Sequence, residues 1–237
     1  LKKNKRFFNL KICISGQHKK MLKQVLDFFE IKTNFNINVM RKNQSLERLT
    51  SKILIKIGEI ISKIKPDLVM VHGDTTTTFA ASLACYYSKI DVCHVEAGLR
   101  TGNIYSPWPE EINRKLTTHI AKIHFSPTKL AKKNLKFEGI TKNKIIVTGN
   151  TVIDSLLFTR KKILNTISIK DRLNKKFSYL NKSKKIILVT GHRRENFGKD
   201  FKNIFKALKY IALNNKNICI VYPIHLNPKV LVPAKKI

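Results

Sequence analysis

Short apolar runs alternate with longer segments of helical periodicity along almost the whole chain. That alternation is the strongest constraint on the fold, because strands separated by helices pair in parallel and need both faces of their sheet covered. Period-two and buried-strand patterns predict strands at 10–15, 67–72, 91–95, 122–125, 144–148, 185–190 and 217–223. Periodicity near 3.6 predicts helices at 19–30, 44–64, 75–87, 110–120, 129–137, from 152 onward, and at 200–214. A polar stretch rich in Lys and Asn interrupts the series after about residue 165. The expected organisation is therefore an α/β domain over 1–165, a linker at 166–184, and the start of a second α/β domain at 185–237.

Composition narrows the function classes. The formal net charge of +32 suits nucleic acid or an anionic surface. Only nine of the 47 basic residues are Arg, however, and base-reading proteins lean on the two-pronged guanidinium. The lysines are spread along nearly the whole chain, so the charge reads as compositional drift, of the kind an AT-rich genome produces. No specific nucleic-acid partner is expected. No apolar run approaches the ~20 residues of a membrane span, and Lys11 breaks the apolar run near the N-terminus. Neither membrane insertion nor a signal peptide is expected. Cys13, Cys85, Cys93 and Cys219 form no CxxC pair and sit in apolar contexts, which predicts buried free thiols rather than a metal site.

In parallel α/β sheets, ligands bind at the carboxyl ends of strands. The polar residues of this chain gather there. The strand at 67–72 runs into Gly73 and Asp74, and Asp74 suits either a helix cap or a functional carboxylate; position alone does not decide. Glu96 ends the next strand, followed by Gly98 in a tight turn. Trp108 between Pro107 and Pro109 makes a stiff loop that feeds Glu110 and Glu111 into a helix start, with Arg114 one turn on. His192 and Arg193 follow the strand at 185–190, where backbone N–H groups and cations favour a phosphate. Asp74, Glu96, Glu110, Glu111 and Glu195 are five of only 15 acidic residues, all at strand ends or helix starts of this kind. Such a gathering points to acid/base chemistry.

Six motifs in order carry a resemblance. VHGDTTTT (71–78), HVEAGLRTG (94–102), YSPWPEEINR (105–114), TGNTVIDSL (148–156), VTGHRREN (189–196) and YPIHLNP (222–228) resemble the non-hydrolysing bacterial UDP-N-acetylglucosamine 2-epimerases. The resemblance runs from about Ile12 to Pro228. It implies two Rossmann-like domains in the GT-B arrangement, a homodimer, a cytoplasmic setting, and no metal or nicotinamide cofactor. It also implies interconversion of UDP-GlcNAc and UDP-ManNAc for envelope polysaccharides such as enterobacterial common antigen. By resemblance, Asp74, Glu96, Glu110 and His192 are the catalytic groups, and Arg114 and Arg193 bind substrate. Arg193 and His225 are candidates for an allosteric substrate site. The family's first strand, with its GTRPEAIK-like loop, and its GGxxEE-like segment have no counterpart in the chain. A fragment without activity by itself is therefore expected. The alternatives are a non-catalytic remnant and a hydrolysing relative that releases ManNAc.

Overall fold

A computed structural model describes residues 4, 6–16, 19–41, 44–180, 183–191, 199–224, 231–232 and 234. Local sequence sets the elements. Helix α2 (Leu46–Ile64) starts where the Ser45 side chain accepts from the Arg48 N–H, and it buries Leu49, Ile53 and Ile61 along one stripe. It stops at Lys65, whose backbone is left-handed and whose N–H returns to the Ile61 carbonyl at 2.8 Å. Helix α3 (Thr76–Tyr87) is capped by Thr75, which accepts from the Thr78 N–H. Its buried face is made of small residues, including Ala80, Ala81, Ala84 and Cys85, so it lies close against both α2 and helix α4 (Glu110–Ile120).

Strands β3 (Leu68–His72), β4 (Asp91–Val95), β5 (Ile123–Ser126) and β6 (Ile145–Val147) form one parallel sheet in sequence order. Helices α3, α4 and α5 (Lys129–Phe137) make the successive crossovers. Val71 is opposite His94, and His94 is opposite His124. Ile61, Val71, Ala84, Cys85 and Val92 fill the space between α2, α3 and the sheet, and Val39, Leu49, Ile53 and Ala80 extend it. Leu68 and Met70 alternate with the inward Val69 and Val71 and are exposed. Strand β1 (Cys13–Ile14), followed by helix α1 (Lys19–Phe28), pairs in parallel with β2 (Phe35–Asn36) in a separate two-stranded sheet. The early strands therefore do not join β3–β6 through hydrogen bonds.

The chain divides into two compact units, Leu1–Ile153 and Asp154–Ile237. In the second, β7 (Lys185–Leu188) and β8 (Ile218–Val221) pair in parallel around helix α8 (Lys199–Asn214). Phe205 is its one described buried hydrophobic residue, packed by Leu208, Tyr222 and Ala234. Helix α6 (Thr151–Asn165) and helix α7 (Ile167–Lys176) carry no buried residue.

The break between the two compact units falls at residues 153 and 154, inside α6, where the sequence pattern places the boundary at 165. The expected linker at 166–184 contains α7. Of the four thiols, only Cys85 and Cys93 are buried; Cys13 is exposed in its two-residue strand and Cys219 is half-buried. Among the described residues, no helix is long and apolar enough to cross a membrane.

Candidate active site

The turn after β3 is held from several elements. Gly73 takes a positive φ of 75°, open to glycine without penalty, and its N–H donates to the Val95 carbonyl at 3.0 Å. Its carbonyl accepts from His94 Nε2 at 2.7 Å. Thr78 donates its hydroxyl to the His72 carbonyl at 2.7 Å. Asp74 follows. Thr75 is the cap of α3, so the carboxylate of Asp74 is left for another purpose. It pairs with Arg114 Nη2, while its backbone carbonyl accepts from Asn113 Nδ2 at 3.0 Å.

Glu96 closes β4 with φ of 67°, a left-handed backbone that costs a non-glycine residue about 1–2 kcal/mol. Strain of this kind collects at functional positions. Its Oε2 lies 3.6 Å from His72 Nε2, and Oε1 accepts from Asn150 Nδ2 at 3.4 Å. A methyl placed on Gly73 would stand 3.6 Å from the same Oε2, so the Glu96 carboxylate lies against the residue preceding Asp74. The turn beyond Glu96 passes hard against α5. At Gly98, with φ of 90°, an added Cβ would come within 2.3 Å of the Ala131 carbonyl oxygen.

Adjacent acids on α4 part ways. Glu110 is half-buried, and among the described residues its carboxylate has no hydrogen-bond partner. Glu111 is fully buried. Its Oε1 accepts from the N–H groups of Thr101 and Gly102 at 3.1 and 3.3 Å, and its Oε2 from Arg114 Nη1 at 3.2 Å. Arg114 thus bridges a buried carboxylate and the rim carboxylate of Asp74. A second ion pair lies nearby: Arg100 grips both oxygens of Glu138 at 2.7 Å and donates to Thr118 Oγ1 at 2.8 Å. Those Arg100 hydrogen bonds hold the Glu138 carboxyl below its ordinary pKa.

Beneath the rim lies an unusually polar layer. His94 and His124 are fully buried side by side on β4 and β5. Burial drives both imidazoles down to about 4, so both are neutral near pH 7. Among the described residues, His94 Nδ1, Ser126 Oγ and Thr117 Oγ1 lack partners.

Two carboxylates at adjacent strand ends, one beside an arginine and one beside a histidine, suit removal and return of a proton on a small polar substrate. The structure brings Asp74, Glu96 and Arg114 to one rim and sets Glu110 on the helix that carries Arg114. His192, Arg193 and His225 lie outside the described residues. His72, His94 and Asn150 were not singled out from sequence, and Glu111 was noted only as one of the gathered carboxylates. The strand-end rule would have reached His72, which closes β3 immediately before Gly73.

The sequence pattern of the UDP-N-acetylglucosamine 2-epimerase family matches residues 1–236. A UDP-N-acetylglucosamine 2-epimerase of Salmonella typhimurium is 50% identical over 230 residues, covering 97% of this chain and 61% of that protein. One from Campylobacter jejuni is 48% identical over 235 residues, with 98% and 61% covered. The crystal structure of the Neisseria meningitidis UDP-GlcNAc 2-epimerase bound to UDP-GlcNAc superposes with a TM-score of 0.92 at 47% identity, covering 98% of this chain and 63% of that one. The Methanocaldococcus jannaschii enzyme in complex with UDP-GlcNAc and UDP gives 0.79 at 32% identity, with 98% and 62% covered. The chain therefore spans about three fifths of the length of the relatives it matches.

Proposed function

The chain belongs to the UDP-N-acetylglucosamine 2-epimerase family, with the parallel α/β, GT-B-like fold of its members, and from that premise we propose that it carries the acid/base half of a site interconverting UDP-GlcNAc and UDP-ManNAc. The supporting observation is the meeting of Asp74 and Glu96 at neighbouring strand ends, with the Glu96 carboxylate against Gly73.

The chemistry fits that pairing. The C2 proton of the sugar is not acidic. Departure of UDP from C1 places positive charge beside it, and a carboxylate then takes the proton to leave a 2-acetamidoglucal. UDP re-adds at C1 as a proton returns to the opposite face of C2. Two faces call for two proton-handling groups, drawn from Asp74, Glu96 and Glu110; each supplies roughly a 10²–10⁴-fold rate factor. Arg114 orients Asp74 from its anchor on Glu111, and with N–H donors to spare it also supports substrate binding. His192 and Arg193 serve the departing diphosphate. Arg193 and His225 remain the candidates for substrate activation. The reading carries with it a homodimer and a cytoplasmic setting, with no cofactor and no nucleic-acid partner.

The test is NMR of UDP-GlcNAc in D2O with the chain alone and with the chain completed by the remaining sequence of its Salmonella typhimurium relative. Deuterium at C2 with UDP-ManNAc as product is expected from the completed protein, and no turnover from the chain alone. Free ManNAc would identify a hydrolysing enzyme. A folded, completed protein that exchanges no C2 proton would overturn the reading.

A further inference from the structure

A histidine in the middle of a sheet is a costly choice. Val92, two residues earlier on β4 and on the same face, fills its position without any polar atom to satisfy. His94 is equally buried and leaves Nδ1 without a partner among the described residues, a desolvation that packing alone does not offset. Buried polar groups of this kind need an explanation beyond packing. The one contact the ring does make is specific. A carbonyl only accepts, so Nε2 carries the proton and donates to the Gly73 oxygen at 2.7 Å.

That carbonyl occupies a critical place. Glycine is the residue with the widest backbone freedom, and Gly73 is the last link before Asp74. The Gly73 N–H is tied to Val95 and the Asp74 carboxylate to Arg114; without the His94 bond the peptide plane between them has no tether of its own and can tilt, shifting the Asp74 side chain on the rim. The ladder sets the reach: His94 stands opposite Val71, so its ring spans forward along β3 to a residue two places on. Strand β4 lies between β3 and β5, and the ring is hemmed in by its neighbours. It cannot follow a drifting turn. Asn113 grips the next carbonyl, of Asp74 itself, from α4 at 3.0 Å.

We propose that His94 is a positioning residue for Asp74: its buried ring, protonated on Nε2, pins the Gly73 carbonyl and so fixes where the Asp74 carboxylate stands. The consequence for catalysis rests on the epimerase reading above; the placement of Asp74 does not. The effect is geometric, since displacing a reacting group by about 1 Å costs on the order of 10²-fold in rate.

Three substitutions separate position from mere bulk. His94→Leu keeps volume and removes the donor. His94→Gln places an amide nitrogen where Nε2 stands. His94→Asn keeps an amide but falls short of Gly73, and it serves as the deficient variant if the Leu change does not fold. In the chain itself, labelled with 13C at aspartate carboxyls, the Asp74 signal should move in His94→Leu and His94→Asn and return in His94→Gln. Asp91, paired with Lys122 at the far end of β4, should stay put in all three. An unmoved Asp74 signal in a folded deficient variant, or a Gln variant as displaced as the deficient ones, overturns the proposal. In the completed enzyme the deficient variants should lower kcat about a hundredfold with KM little changed, Gln should recover most of the rate, and no further loss should appear on top of Asp74→Asn. A full additional loss in that background would show that His94 acts by another route. If the carboxyl signals behave as stated and the completed wild-type protein turns nothing over, the epimerase reading fails and the placement stands.

Discussion

In the first unit, helices α2, α3 and α4 close over the β3–β6 sheet, and Val71, Cys85 and Val92 sit in a continuous interior. In the second, β7, β8 and α8 show the same strand–helix–strand order around a single described buried side chain, Phe205. Ile186, Ile187 and Leu188 on β7 are exposed, whereas the equivalent inward positions of β4 are closed. The two regions have alike hydrophobic patterns and unlike depths. Periodicity specifies which element forms; how much apolar surface leaves water depends on how many neighbours exist to cover it.

Substitution at Gly98 should produce the largest break in this comparison. Gly98→Val drives a side chain into the Ala131 carbonyl in a backbone that already favours glycine, and a loss of about 5 kcal/mol or more is expected in the first unit. Urea unfolding followed by NMR should show β4 and α5 signals lost early while those of β7 and β8 keep their wild-type midpoint. A common midpoint for both units would undo the comparison. Phe205→Ala is its mirror image. Removing the one described buried ring should cost about 3–5 kcal/mol, confined to the second unit, and hydrogen exchange of α8 amides reports it directly.

Acid should separate the units by degrees, because both buried histidines belong to the first. With folded-state values of about 4 against an ordinary 6.5, His94 and His124 are neutral in both folded and unfolded chains above about pH 6.5. Between 6.5 and 4 the unfolded chain takes up protons that the folded one refuses, so stability falls as pH falls. The decline reaches roughly 3 kcal/mol per histidine at the lower end. Thermal melts from pH 7.5 to 4.5 should show it, and a double variant, His94→Gln with His124→Gln, should flatten the curve. The smallest effect belongs to the exposed pair of Lys122 and Asp91. Lys122→Met should change stability by less than about 1 kcal/mol and lose even that in high salt.

Much of this was legible from sequence, for identifiable reasons. Helices α4 and α5 match their expected spans at both ends, because Pro109 and Thr128 punctuate their starts. Strand β2 was not anticipated: two residues, Phe35 and Asn36, carry no period. Helix α7 was hidden by its composition, since Ile167–Lys176 has no buried face to leave an apolar stripe. At the rim, the strand-end rule found Asp74 and Glu96. It did not tell Glu110 from Glu111, which are neighbours separated by about 100° around one helix. Only packing reveals that Glu111 turns inward to Arg114. His94 was invisible for a related reason, as an imidazole inside a run of Val and Cys reads as one more strand residue.

The left-handed backbone of Glu96 has an evolutionary edge. Glycine at that position would relieve the torsion, so Glu96→Gly should raise the melting temperature while deleting a carboxylate from the rim. A lineage selected for robustness alone would drift toward glycine there; one selected for turnover would hold the acid against that pull. The residue found at the end of β4 in any descendant is thus a readout of which pressure it has lived under.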